Sequence, residues 1–332
     1  MNRIPLVLLT GFLGSGKTTM LNALLASDEF RETAVVINEF GEVGLDHLLV
    51  EQGADTVMLL EGGCLCCRAR GSLAPTLEGL LRRSRDGCLP PFKRVVVETS
   101  GLSDPATVLE GLILDAFFNH RISLSGVVTV VDGRAFLRTV EAHIEARMQV
   151  ALADRLLISK ADIADADDMT AVQQVLTAIN PHARQSVMHP RAMTMDMFWP
   201  SALDLPRSLM QPLGAMCSAE PAPLATASLT FDGAIAPDLL EAWLDHTIGL
   251  LGSMLLRMKA MLDIEGAPGP TVLHVVQGLL HQPVDLTEWP VSEQRNRIVL
   301  IGRDVEEQIL VDALARLQET IRQTGRIPSA VH

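Results

Sequence analysis

Tyrosine is absent from the 332 residues, and aromatic side chains make up only 4% of them. Platforms on which unpaired bases stack need aromatic faces, so a single-stranded nucleic-acid binder is excluded. Positive charge is also short: 27 Lys and Arg stand against 40 Asp and Glu, a net charge of −13. General nucleic-acid binding rests on cations that neutralise phosphates, and this chain has none to spare. No run approaches the roughly 20 apolar residues that cross a bilayer. The apolar residues 4–9 stop at Thr10 and Gly11 with no cleavage site, unlike a secretory leader. A cytoplasmic protein is expected, with neither nucleic acid nor membrane as partner. Cysteine is scarce, and its 5 residues are poorly spread for disulfides. Cys64, Cys66 and Cys67 crowd together while Cys88 and Cys217 stand alone. An odd, clustered set argues against a disulfide framework and for metal or redox chemistry in a reducing compartment.

What the chain does have is apolar patterning: hydrophobic residues make up 48% of it. The length suffices for two domains, each with its own core. Strands are predicted at residues 33–37, 56–60, 94–97, 125–131 and 155–158. Helices are predicted at 71–85, 105–118, 134–153 and 167–179. This alternation specifies an α/β fold, a parallel sheet covered by helices on both faces, with ligands at the carboxyl ends of the strands. Prolines at 200, 206, 212, 221 and 223 break the pattern and read as a linker. Beyond it, strands at 224–231, 253–264, 271–276 and 297–301 and helices at 237–248 and 305–321 make a smaller α+β domain. The expected division is 1–199, a linker at 200–223, and 224–332.

The chemistry starts near the N-terminus. Gly11-Phe12-Leu13-Gly14-Ser15-Gly16-Lys17-Thr18, followed by Thr19, fits the phosphate-cradling pattern G-x-x-x-x-G-K-[ST] between an apolar strand and a helix. Gly11, Gly14 and Gly16 let backbone N–H groups turn toward phosphate oxygens, and the helix N-terminus adds donors and partial positive charge. Lys17 suits the β/γ-phosphates, and the Thr18 hydroxyl suits Mg²⁺. Val95-Val96-Val97 delivers Glu98 to a strand end, where a carboxylate holds the Mg²⁺ shell or orients attacking water. Gly101 allows a backbone N–H to approach the γ-phosphate, and Asp104 is a lesser candidate acid. Ser159-Lys160-Ala161-Asp162 follows a further apolar strand. A carboxylate at Asp162 can accept both N–H groups of a guanine edge, and the Lys160 stem can lie along the base. Serine stands where guanine-binding proteins usually carry asparagine, which leaves ATP as an alternative. No glutamine suited to orienting water follows Gly101.

Gly62-Gly63-Cys64-Leu65-Cys66-Cys67 places three thiols within four residues. Such a set suits Zn²⁺, with Co²⁺ or Cu(I) chemically possible, and is tighter than a structural zinc knuckle. An incomplete ligand shell suits a metal that is handed on. Glu39, Glu42 or His47, or a partner, could complete it, and a redox role is a further alternative. Asn38-Glu39-Phe40-Gly41-Glu42 lies where such folds carry a γ-phosphate-sensing loop. The methionines at 188–197 read as gap-fillers, and His274 and His281 as packing or surface residues.

Taken together, these residues resemble the CobW-like P-loop GTPases, metallochaperones related to cobalamin-synthesis, nitrile-hydratase-activating and zinc-homeostasis proteins. The resemblance rests on the phosphate loop, Asn38-Glu39-Phe40-Gly41-Glu42, Gly62-Gly63-Cys64-Leu65-Cys66-Cys67, and Glu98-Thr99-Ser100-Gly101-Leu102-Ser103-Asp104-Pro105. At the far end, Leu256-Arg257-Met258-Lys259 and the stretch from Arg297 to Arg303 are similar to that family's C-terminal domain. It implies GTP hydrolysis with Mg²⁺, and Zn²⁺ or Co²⁺ bound by the thiols in step with the nucleotide. The metal would then pass to a client metalloprotein. A monomer or homodimer is expected, with slow intrinsic turnover. Two departures stand out: Ser159, and the lack of a histidine-rich stretch, since residues 182–225 hold only His182 and His189. The alternatives are a nucleotide-sensing metal regulator or buffer without significant turnover, and a P-loop kinase or other ATPase with structural cysteines.

Overall fold

Apolar runs of β-branched residues separated by helical periods dictate a wound parallel sheet, and the computed structural model contains one. It describes residues 3–25, 27–38, 73–189, 193–200, 224–289 and 294–323. The predicted strand at 56–60, the Glu39 loop, the thiol cluster and nearly all of the linker lie outside them. The chain forms two compact units, Met1–Pro206 and Arg207–His332.

In the first unit the strands are β1 (Ile4–Thr10), β2 (Thr33–Asn38), β3 (Arg94–Thr99), β4 (Ile122–Asp132), β5 (Arg155–Ser159) and β6 (Arg184–Val187). Its helices are α1 (Lys17–Leu25), α2 (Ala74–Arg85), α3 (Pro105–Ile113), α4 (Ala116–Arg121), α5 (Phe136–Ala142), α6 (Ile144–Ala151), α7 (Ala166–Ile179) and the short α8 (Met195–Phe198). The strands lie in the order β2-β3-β1-β4-β5-β6, and each neighbouring pair is parallel. Crossovers are right-handed, so the step from β1 out to β2 and the return steps through β4, β5 and β6 put helices on opposite faces. Chain direction reverses beside β1, and crevices of this kind hold ligands. One face of the core joins Met20, Leu21 and Leu24 of α1 to Met188, Met193 and Phe198. The methionine-rich segment is therefore packing, as its composition indicated.

The largest departures from the sequence pattern in this unit are these. The helix expected at 105–118 is two, because Asp115 takes an extended conformation and its carboxylate accepts from the N–H groups of Phe117 and Phe118, restarting the chain as α4. The helix expected at 134–153 breaks at His143, whose backbone is extended. The strand β6 was not expected, since its four residues Arg184-Gln185-Ser186-Val187 are mostly polar.

The second unit contains β7 (Leu224–Phe231), α9 (Pro237–Leu251), β8 (Leu255–Leu262), β9 (Thr271–Val276), β10 (Leu279–Leu280), β11 (Val284–Asp285), β12 (Asn296–Arg303) and α10 (Glu307–Gln323). Strand β8 starts two residues later than expected, after a 3-10 turn at Gly252–Met254. Its sheet runs β10-β9-β8-β12-β7, with β11 beside β9, and its pairs are antiparallel. Trp243 and Leu244 of α9 and Leu310, Leu314 and Leu317 of α10 share a core with Met258, Ala260, Ile298 and Leu300 of the sheet. Among the described residues no helix is long and apolar enough to cross a membrane.

Candidate functional site

The loop between β1 and α1 is bent by Gly14 and Gly16, whose φ angles of 72° and 96° suit glycine above other residues. Ser15 N–H donates to Phe12 O at 3.1 Å, and Met20 N–H to Gly16 O at 2.9 Å, which starts the helix. The Ser15 side chain is buried beneath the loop, while Gly14 and Thr19 are exposed. Lys17 is 94% shielded, and its Nζ donates to the loop carbonyls of Gly11 at 2.8 Å and Phe12 at 3.3 Å. The ammonium thus lies across its own loop, where phosphate oxygens would compete for it.

Strand β3 brings Glu98 to this loop. Its side chain is fully buried, and Thr18 Oγ1 donates to Glu98 Oε1 at 3.0 Å. A hydroxyl and a carboxylate are hard oxygen donors, the chemistry Mg²⁺ requires, so the residues present fit that ion. Next to them Thr99 Oγ1 donates to Thr10 Oγ1 at 3.0 Å, tying the ends of β3 and β1. Gly101 packs on the phosphate loop so closely that a Cβ there would lie 2.6 Å from Leu13 N and 2.8 Å from Leu13 Cα. Asp104 caps α3, accepting from Ala106 N–H at 2.9 Å.

Strand β5 closes the other side. Ser159 is fully buried, and its hydroxyl donates to Ser15 O at 2.6 Å, with Val131 O at 3.1 Å. Lys160 sits in the left-handed region at φ 57°. Its ammonium reaches Gly14 O at 2.8 Å and Asp132 Oδ2 at 2.6 Å. Asp162 is exposed on the same turn. The structure therefore brings Lys17, Thr18, Glu98, Gly101, Ser159 and Lys160 to one edge of the sheet. Cys64, Cys66, Cys67, Glu39 and Glu42 lie outside the described residues. Among the described residues no group of three or more His, Cys, Asp or Glu side chains is arranged to hold a metal.

Two residues of this edge were not singled out from the sequence. Asp132, at the end of β4, also accepts from the N–H groups of Arg134 and Ala135. Burial pushes its carboxyl up, but the Lys160 ammonium and these two N–H groups outweigh that and hold it below the usual carboxylate range. Its signal was available, because Val127-Val128-Thr129-Val130-Val131 delivers it as Val95-Val96-Val97 delivers Glu98. The other is Gln149 on α6, a polar residue inside a buried helix segment, with nothing in its neighbours to mark it.

This arrangement can be set beside known proteins. Residues 5–187 match the profile of the CobW/HypB/UreG nucleotide-binding domain, and residues 224–318 match that of the cobalamin synthesis protein cobW C-terminal domain. The chain belongs to the CobW/HypB/UreG family. Within this family it is 29% identical to the zinc chaperone YjiA of Escherichia coli over 327 residues, 96% of this chain and 100% of that one. It is 29% identical over 184 residues to zinc-regulated GTPase metalloprotein activator 1 of Schizosaccharomyces pombe, covering 53% of this chain and 44% of that protein. The crystal structure of Zn(II)-bound YjiA GTPase from E. coli superposes with a TM-score of 0.66 at 23% identity, over 96% of this chain and 99% of that one. That likeness shows a shared fold. The CobW/HypB/UreG profile makes the phosphate loop, Glu98 and the Ser159 turn parts of one nucleotide-binding domain.

Proposed function

We propose that this chain is a GTP-hydrolysing metallochaperone that binds a divalent metal through Cys64, Cys66 and Cys67 and passes it to a client metalloprotein. The observation that carries the nucleotide half is the Thr18–Glu98 pair, its carboxylate fully buried, at the mouth of the phosphate loop. The loop N–H groups and the N-terminus of α1 hold phosphate oxygens. Lys17 exchanges its carbonyl partners for the β/γ-phosphates. Thr18 and Glu98 would hold Mg²⁺, which when bound neutralises charge between the phosphates. Gly101 meets the γ-phosphate with its N–H, and Asp162 selects guanine while Lys160 backs the base.

Zinc is the preferred cargo, because the relatives are named for zinc, and cobalt is the second. Thiolates are soft donors that suit either ion. We infer a cytoplasmic setting from thiols kept reduced, and no nucleic-acid partner from the net charge of −13. The fold leaves monomer and homodimer both open as working forms.

The test is Zn²⁺ affinity measured with a non-hydrolysable GTP analogue and with GDP. A switch needs differential binding, so at least about a tenfold difference is expected. Equal affinities would end the coupling, leaving a nucleotide-sensing buffer. Competition by ATP as strong as by GTP would overturn the role given to Asp162.

A further inference from the structure

The loop after Glu98 is not held by its own turn alone. Gln149 of α6 reaches across, and its Nε2 donates to Gly101 O at 3.0 Å and to Ser103 O at 3.2 Å. Both carbonyls belong to the loop that packs Gly101 against Leu13. The Gln149 side chain is 1% exposed, so these bonds are shielded from water. Its helix is in turn fixed to the sheet, because Thr129 Oγ1 donates to Gln149 O at 2.7 Å. The second amide atom, Oε1, has no partner among the described residues, and neither does Ser15 Oγ beneath the phosphate loop. Both residues line one small cavity of about 30 Å³ with Phe12, Leu13 and Thr129. A space of that volume holds one water molecule, for which these two groups are candidate partners.

We propose that Gln149 is a positioning residue for the nucleotide reaction. It latches the Gly101–Ser103 loop onto the phosphate loop, so that the Gly101 N–H stands ready for a γ-phosphate. Both amide donors are taken up by the loop. Gln149 acts through two loop carbonyls, and an amide is the side chain suited to it, since one NH₂ carries two donors. GDP lacks the group that the loop would meet. The latch therefore affects the triphosphate state and its hydrolysis, not diphosphate binding. This inference rests on the nucleotide reading above.

The experiment uses the full chain and three variants. Gln149→Leu keeps the shape and removes both donors. It should lower kcat about tenfold and lower the ratio of GTP-analogue to GDP affinity about tenfold, with GDP affinity within about twofold of wild type. Thr129→Val leaves both amide donors in place and only loosens the helix behind them, so it should lower the affinity ratio by no more than about twofold. Gln149→Glu places a carboxylate against two carbonyls, and protonation returns one donor. Its kcat relative to wild type should therefore rise as pH falls from about 8 to about 6. An unchanged ratio in Gln149→Leu, an equal loss in Thr129→Val, or a flat relative pH profile would each overturn the latch. Hydrogen exchange over residues 100–104 reads the latch without nucleotide. Gln149→Leu must accelerate it and Thr129→Val must do so far less, so the latch is decided even if wild type fails to discriminate GTP from GDP. That failure would instead count against the proposed function.

Discussion

The two sheets bury polar side chains in different places. In the parallel sheet, Thr10, Glu98, Thr99 and Ser159 are buried together at the carboxyl ends of β1, β3 and β5, while Thr33 and Arg155 are buried singly at the amino ends of β2 and β5. In the antiparallel sheet, Arg257, Lys259 and Arg297 are buried within β8 and β12, and Lys259 is flanked by Val299 and His274 on its two neighbours. Parallel strands bring every carboxyl end to one edge, beside the helix N-termini, so polar groups placed there meet each other. Antiparallel strands alternate their ends, so buried polar groups spread over a face. The same class of residue therefore marks a site in the first unit and a lining in the second.

Two glycines break or hold this contrast most sharply. In Gly101→Ala the new Cβ would press on backbone, 2.6 Å from Leu13 N, so the phosphate loop itself must shift. Misplacement of that order costs about 100-fold in turnover, and GTP hydrolysis by Gly101→Ala should fall at least that far. In Gly302→Ala the Cβ meets the Val305 side chain, with Leu310 Cδ1 at 3.4 Å. Overpacking of a side chain costs about 1–3 kcal/mol, and turnover per folded molecule should be unchanged. An active Gly101→Ala, or an inactive but folded Gly302→Ala, would remove the distinction.

The contrast also explains what was legible beforehand. Strand ends in the first unit carry their message locally: a β-branched run followed by an acid, or by glycines and lysine, needs no partner to be recognised. That is why the phosphate loop, Glu98 and the Ser159 turn are legible as candidates in the sequence. Asp132 carried the same local signal and was passed over because no motif contains it. Gln149 could not be found, since its role depends on α6 lying beside the β3–α3 loop, a relation between residues 48 positions apart. In the second unit the strand limits at 224–231 and 271–276 agree with the structure: alternation marks β7, and β9 is an apolar run bounded by Pro270 and Gly278. The polar β6 lacks any such pattern, and only its pairing with β5 makes it a strand.

A proton separates the units at intermediate cost. His182, in the first unit, is half-buried, its Nδ1 is enclosed with no partner among the described residues, and that burial lowers its pKa to about 4. The folded state thus holds it neutral where the unfolded chain, with a value near 6.5, already takes up a proton. Stability from this group is fully present above about pH 6.5 and is lost as pH falls toward about 4. Between pH 7 and pH 5 the loss is on the order of 2 kcal/mol. Hydrogen exchange at pH 7 and pH 5 should show protection dropping in β5 and β6, and His182→Gln should flatten that dependence. A drop of equal size in His182→Gln would assign it to other groups.

The smallest comparison sets one buried hydrogen bond against another. Trp243 Nε1 donates to Ala313 O at 2.8 Å, tying α9 to α10 in the second unit. Thr99 Oγ1 donates to Thr10 Oγ1 at 3.0 Å, tying β3 to β1 beside the phosphate loop. Trp243→Phe and Thr10→Val each remove one such bond with little change in apolar character, and each should cost about 1 kcal/mol in denaturant unfolding. Their effects on hydrolysis should differ. Trp243→Phe changes only the packing of two helices on a sheet that carries no strand-end site, so kcat stays at the wild-type value. Thr10→Val loosens the register between the strand that launches the phosphate loop and the strand that ends in Glu98, so kcat falls about threefold to tenfold while the stability loss remains the same. Equal kcat in the two variants would mean that the carboxyl edge of the parallel sheet tolerates loosening as well as the second unit does. The strand-end pairing of Thr10 and Thr99 would then be a matter of stability alone.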